Sequence, residues 1–291
     1  MGFKILVLAK QVPDTRNVGK DAMKADGTVN RGALPAIFNP EDLNALEQAL
    51  ILKDKYEDTE ITVITMGPPR AADIIRESLF RGADKGFLIT DRRFAGADTL
   101  ATSYVLYKAV EKMGKFDLIL SGRQAIDGDT AQVGPQTAEK LNIPQITYAE
   151  EILNLNDKTV EVRRRVERGV EVVRSTIPAL ITVHSSAKEC RSRNAILTMK
   201  YKYARTETEL QDESRDYITD SASTKPYLQI RELSVEDLDC ELPKLGLNGS
   251  PTKVKGIENV VLQSKDSKVL TDSDNDIREL MNELITNHTL G

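Results

Sequence analysis

The chain has 291 residues, 40% hydrophobic and 29% charged, the balance of a globular protein with a real core, and no apolar run nears the ~20 residues of a spanning helix, so no stable membrane insertion is expected. The formal net charge is −5, with basic residues interleaved among acidic ones, so nucleic acid is not an expected partner. Two cysteines, Cys190 and Cys240, and two histidines, His184 and His288, are too few for a disulfide framework, a thiolate cluster or a histidine metal site, so redox chemistry must come from a bound cofactor.

In chain order, residues 4–9 (KILVLA) read as a buried strand, too short for a signal peptide, and the expected compartment is the cytoplasm. Asn39-Pro40-Glu41-Asp42 opens a helix with a side-chain cap, a first-turn proline and acids against the positive end of the dipole. That helix turns Leu43, Leu46, Ala49 and Leu50 inward. Residues 60–65, 86–90 and 117–121 repeat the buried-strand pattern. A second helix follows Gly67-Pro68-Pro69 and stops at Gly82, and a third covers 98–113. Residues 117–121 then lead through 122–129 into a helix from about Thr130 to Leu141. Residues 159–166 and 170–176 flank Glu167-Arg168-Gly169 as a β-hairpin, and 179–183 returns to the main sheet. The alternation predicts an α/β fold: a Rossmann-like doubly wound, mostly parallel sheet with a β-hairpin.

Beyond residue 190 the pattern loosens into polar stretches with Pro226, Pro243 and Gly246, too sparse for a second core. The expected division is a nucleotide- or flavin-binding domain over 1–200 and an extended C-terminal arm over 201–291. Residues 274–286 carry Ile277, Leu280, Met281, Leu284 and Ile285 at helical spacing. That stripe either docks back on its own domain or meets another subunit.

In an open α/β sheet, ligands gather at the carboxyl ends of strands, where helix N-termini attract phosphate. Residues 122–137 have that place. Gly128 and Gly134 permit close backbone approach, Thr130 can cap the helix and donate to phosphate, and Gln132 and Gln136 add uncharged donors. Asp127 and Asp129 suit ribose hydroxyls or a helix N-terminus. An ordinary turn and cap would read the same way, so the loop by itself leaves both readings open. It lacks the Walker lysine and the Gly-x-Gly-x-x-Gly fingerprint, which disfavours a P-loop NTPase and an ordinary dehydrogenase; no Gly-x-Ser-x-Gly elbow supplies a nucleophile.

The spelling of residues 118–135, LILSGRQAIDGDTAQVGP, resembles the adenine-nucleotide loop of electron transfer flavoprotein beta subunits. Residues 7–14 (VLAKQVPD), 38–42 (FNPED), 66–68 (MGP) and 173–180 (VRSTIPAL) are similar to landmarks of that family and stand in its order. Together they cover roughly residues 1–200. The resemblance implies an adenine nucleotide alpha hydrolase-like fold, a heterodimer with an alpha subunit embraced by the C-terminal arm, and no stand-alone catalysis. It implies AMP as a structural element in one branch of the family. In the electron-bifurcating branch it implies FAD, with NADH as hydride donor, a flavin in alpha as one electron acceptor and a low-potential carrier such as ferredoxin as the other. The wording of 127–135 is nearer the bifurcating branch.

On that resemblance the backbone at Thr130, Ala131, Gln132, Val133 and Gly134 would bind the pyrophosphate. Asn39, Asp42 and Met66 would line the adenosine or ribose side, and Ala9 and Lys10 would lie beside the nucleotide. Gly122, Arg123, Gln124, Asp127, Asp129, Pro135, Gln136 and Thr137 complete the expected cofactor set. No catalytic or metal residue is expected. Residues 191–203 lack the family's small, proline-containing recognition spelling, though Met199-Lys200 matches. Ile196 or Leu197 would anchor a flavin dehydrogenase or reductase there, or else the segment is a helix packed on its own sheet. The alternatives are a simple electron shuttle with AMP in this chain and, in another class, a stand-alone adenine-nucleotide regulator of the universal stress type. The latter expects a late Gly-x-x-Gly phosphate loop, which is missing, and leaves the arm unexplained. A related ATP-pyrophosphatase would need Ser-Gly-Gly where Ala9-Lys10-Gln11-Val12 stands.

Overall fold

Strand β1 (Lys4–Leu8) sends Ile5 and Val7 into one hydrophobic cluster and Leu6 and Leu8 into another, so both faces of the sheet are covered at its centre. The computed structural model describes residues 2–14, 35–211, 225–252 and 269–287; His288 lies outside them. A short antiparallel pair, β2 (Gln11–Pro13) and β3 (Ala36–Phe38), follows β1. Strands β4 (Glu60–Met66), β5 (Lys85–Ile89) and β6 (Leu118–Gly122) run parallel to β1. Strands β7 (Gln145–Leu155), β8 (Thr159–Val166), β9 (Gly169–Thr176) and β10 (Ala179–Val183) come next, then β11 (Arg205–Thr206) and β12 (Gln229–Leu233). The ten-stranded sheet has the order β11-β12-β5-β4-β1-β6-β10-β7-β8-β9, antiparallel only at β7-β8-β9.

Helix α1 (Pro40–Lys55) lays Leu46, Ala49 and Leu50 against Ile5, Val7 and Ile61. Burial of each leucine contributes about 2 kcal/mol. Helix α2 (Ala72–Arg81) ends at Gly82, whose φ of 128° is left-handed, as its place after the last turn requires. On the opposite face α3 (Thr99–Met113) and α4 (Val133–Leu141) set Val105, Ala109 and Ala138 against Leu6, Leu8 and Ile119. Asp98 caps α3, accepting from Leu100 N at 2.9 Å and Ala101 N at 3.0 Å.

Three features depart from the sequence reading. β7 is an eleven-residue strand hidden in QITYAEEILNL, where a shift of register breaks the alternation a strand is recognised by. α4 begins at Val133, not near Thr130, and its cap residue Gln132 makes no side-chain capping bond; residues 129–132 are instead loop. The sheet also extends past residue 200: β12 pairs with β5, and Tyr201, Ala204, Leu228 and Ile230 form a third cluster with Ile75, Leu79 and Leu88. These apolar residues are few and dispersed in sequence, and α2 and β5 supply the rest of their core.

The chain divides into two compact units, residues 1–255 and 256–291. The first also contains α5 (Ala195–Tyr201) and α6 (Glu207–Leu210). In the second, α7 (Asp274–Thr286) is capped by Ser273, and its Ile277, Leu280, Met281 and Ile285 are exposed. Among the described residues no helix is long and apolar enough to cross a membrane.

Candidate functional site

A cavity of about 830 Å³ opens at the carboxyl ends of β1, β4, β5 and β6. It sits where the chain, having laid β4 and β5 on one side of β1, places β6 on the other, the crevice in which open α/β sheets bind ligands. Ala9 and Lys10 line it from β1, Met66 from β4, Thr90 and Asp98 from beyond β5, and the loop before α4 closes it.

The N-terminus of α1 ties these strand ends together. Asp42 accepts Lys10 N and Gly122 N, each at 2.8 Å, so one carboxylate spans the ends of β1 and β6. Burial pushes its pKa up to about 7, against the pull of those two amides and of the Lys10 charge. Glu41, also buried, accepts Gln124 N at 2.9 Å and pairs with Arg123 at 3.0 Å. Burial works against the Arg123 charge, but Glu41 more than offsets it and holds the guanidinium above its usual value. Asn39 is fully buried and does not cap α1. Its amide donates to Gln124 O at 2.9 Å and its carbonyl accepts Ile126 N at 3.2 Å, clamping the loop from beneath.

Above that clamp, Gln124 Nε2 donates to Asp129 Oδ1 at 2.8 Å, and Lys10 Nζ pairs with Asp127 at 2.8 Å. Asp129 and Ala131 have φ of 48° and 52°, left-handed values that cost a residue with a side chain about 1–2 kcal/mol each. Ala131 is followed by right-handed Gln132, an alternation of hand that turns successive amide N–H groups toward one side, the geometry of an anion nest. Thr130, Ala131, Gln132 and Val133 stand at the positive end of α4, with their amides turned to no protein acceptor among the described residues.

A model of the electron transfer flavoprotein domain matches residues 26–208. The chain belongs to the electron transfer flavoprotein family. An electron transfer flavoprotein subunit beta from Megasphaera elsdenii is 42% identical over 292 residues, 97% of this chain and 98% of that protein. The acryloyl-CoA reductase electron transfer subunit gamma of Anaerotignum propionicum is 40% identical over 298 residues, 99% of this chain and 100% of its own length. The caffeyl-CoA reductase-Etf complex subunit CarD of Acetobacterium woodii is 51% identical over 180 residues, 62% of this chain and 68% of that protein.

Within this electron transfer flavoprotein fold, Ala9, Lys10, Asp42, Met66, Gly122, Arg123, Gln124, Asp129, Thr130, Ala131, Gln132, Val133 and Gly134 all line the cavity. Asn39 and Asp127 stand behind it, as loop clamp and partner of Lys10. Pro135, Gln136 and Thr137 lie in α4 away from the wall: Gln136 accepts from Ser103 Oγ at 3.1 Å, and the Thr137 hydroxyl bonds Val133 O at 2.7 Å. Gly134 faces the sheet, where a Cβ would stand 2.6 Å from Thr182 Cγ2; its smallness lets α4 pack closely. The far wall, with Phe94, Gly96, Asp98, Thr102 and Leu106, is missing from the sequence reading. The sequence reading places Asp98 at the start of the third helix and assigns it no further role; in the structure it caps α3. On α5, Leu197 packs against the third cluster while Ile196 and Met199 are 78% and 69% exposed.

Proposed function

We propose that this beta-type electron transfer flavoprotein subunit binds FAD in the cavity and works in a heterodimer with an alpha subunit, delivering electrons to a flavin dehydrogenase or reductase. The observation that carries the reading is the set of amides at 130–133 without a protein acceptor among the described residues, on residues that line a cavity at the switch point together with Lys10 and Arg123. Unpaired amides, a helix N-terminus and nearby cations suit a pyrophosphate. Asp129, held by Gln124, is placed for ribose hydroxyls, and the backbone at Ala9 and Met66 for the adenine edge. The cavity extends from the loop to Phe94, Asp98 and Leu106, toward the large end of the ~300–1,000 Å³ range of ligand pockets. That extent favours a dinucleotide over AMP, the ligand of the simpler shuttle.

FAD held there by the amides at 130–133 would supply the redox chemistry, hydride acceptance from NADH and one-electron transfer toward the flavin of alpha and toward ferredoxin. The chain's own residues bind and orient it, and the strained backbone at Asp129 and Ala131 fixes the amides before binding. Ile196 and Met199 offer an apolar docking face for the reductase, a role in keeping with the reductase complexes named for the Anaerotignum and Acetobacterium relatives. An anaerobic NADH titration of the purified heterodimer tests the mechanism. Bleaching of flavin absorbance, lost when Thr130–Val133 amide geometry is disrupted by Ala131→Pro, is the expected result; no reduction by NADH would overturn it.

A further inference from the structure

Strand β7, separated by β10 from β6, carries an irregularity. Between Ile181 and Val183 of β10, a step of two residues, β7 advances three, from Ile146 to Ala149. Ile146 and Ala149 both stay in the core, so the extra residue is absorbed at Thr147 and Tyr148. Tyr148 takes a φ of 59°, a left-handed backbone costly for an aromatic residue in a strand. Bulges re-aim side chains, and backbone strain is retained where the surroundings demand it.

The re-aimed ring meets two side chains. The Arg123 guanidinium carbon lies 5.3 Å from the ring centroid, within cation–π range. The His184 imidazole stacks on the ring at 5.8 Å, 25° from parallel. Burial and the Arg123 charge hold the His184 pKa below its usual value, which disfavours a second cation beside Arg123. His184 is itself fixed by Ser186, whose hydroxyl lies 2.9 Å from Nδ1 and donates to Glu150 at 2.5 Å. Arg123 also pairs with Glu41 at 3.0 Å and lines the cavity.

We propose that the bulge at Tyr148 is a positioning device: it holds the Arg123 guanidinium at the cavity wall, where the charge attracts the phosphate of a bound adenine nucleotide. Tyr148 acts through Arg123 and does not touch the ligand. Ring packing limits a side chain that would otherwise swing among many rotamers, so the charge is in place before the ligand arrives.

The inference rests on the nucleotide reading of the cavity, and a double-mutant cycle separates the two. Binding of AMP and of adenosine to the nucleotide-stripped full chain is measured calorimetrically for wild type, Tyr148→Ala, Arg123→Ala and the double variant. Tyr148→Ala is expected to weaken AMP about five- to tenfold, to change adenosine less than twofold, and to add nothing in the Arg123→Ala background. Tyr148→Phe, which keeps the ring face, restores AMP affinity to within about twofold and guards against a folding artefact. Equal losses for Tyr148→Ala with and without Arg123, equal losses of AMP and adenosine, or a Phe variant as weak as Ala would overturn the role of Tyr148 and leave the nucleotide site standing. If AMP does not bind wild type, the nucleotide reading falls and the role falls with it.

Discussion

Gly122 touches Asp42 in two ways: its N–H donates to Asp42 Oδ1 at 2.8 Å, and a Cβ added to it would stand 2.5 Å from the same oxygen. A glycine is therefore required where β6 meets α1, for close approach alone. Gly122→Ala is expected to cost about 2–3 kcal/mol through overpacking against Asp42 and Glu41. Gly128 has nothing within 4 Å of such an atom, so Gly128→Ala should stay within about 0.5 kcal/mol. Urea denaturation of both variants checks the contrast, and equal losses would contradict it.

The Asp42 carboxyl titrates near pH 7 in the fold against an ordinary 3.8 because burial disfavours its charge. A raised acid contributes stability that is whole below pH 3.8 and is lost as pH rises through about 7, at a slope of up to ~1.4 kcal/mol per pH unit. Asp42→Asn removes that slope, so the variant should gain on wild type between pH 4 and 7. Melting temperatures across that range give the comparison. Parallel curves would mean that the two amide bonds keep Asp42 ionised throughout.

The strand-and-loop frame was legible in the sequence because its signals are local. KILVL is apolar on both faces, Gly82 carries its own cap chemistry, and the loop at 118–135 has a spelling specific to a family. β7 was hidden because its bulge at Tyr148 breaks the alternation. β12 was hidden because Ile230 and Leu233 find their core only against α2, β5 and α3. At the site, the loop residues were legible but the division of labour was not. Asn39 looks like a cap and clamps residues 124–126; Gln136 looks like a ligand donor and ties α4 to α3. Such roles depend on side-chain direction across elements far apart in sequence.

Glu47 is 1% exposed and takes three hydrogen bonds from Arg191: from its N at 3.0 Å, its Nε at 3.0 Å and its Nη2 at 3.2 Å. Burial raises the Glu47 pKa but Arg191 prevails and holds it below the usual value. Its contribution to stability is thus present above about pH 4.5 and lost as pH falls through the folded value. Glu47→Gln is expected to destabilise by about 2–4 kcal/mol at pH 7, since Arg191 then loses its buried anionic partner and keeps only the exposed Asp54 at 2.8 Å. The segment leading into α5 should loosen with it, read as faster amide exchange at 188–199 than in wild type. Unchanged exchange there would contradict the link between this pair and the exposed Ile196–Met199 face.

Asn39→Ala removes both side-chain bonds to residues 124 and 126. About 1–3 kcal/mol of stability should be lost, because buried polar groups of the loop are left unpaired. Thermal denaturation with and without AMP makes the check: the shift that AMP produces should shrink in the variant. An undiminished shift would show that the loop keeps its shape without the clamp.

Whether this electron transfer flavoprotein subunit holds FAD in its cavity is decided by counting nucleotides. The chain is co-expressed with its alpha subunit, the heterodimer is denatured with acid, and released FAD and AMP are quantified. Two FAD per heterodimer and no stoichiometric AMP are expected; one FAD with one AMP would overturn the FAD assignment and make the chain the AMP-bearing subunit of a simple electron shuttle.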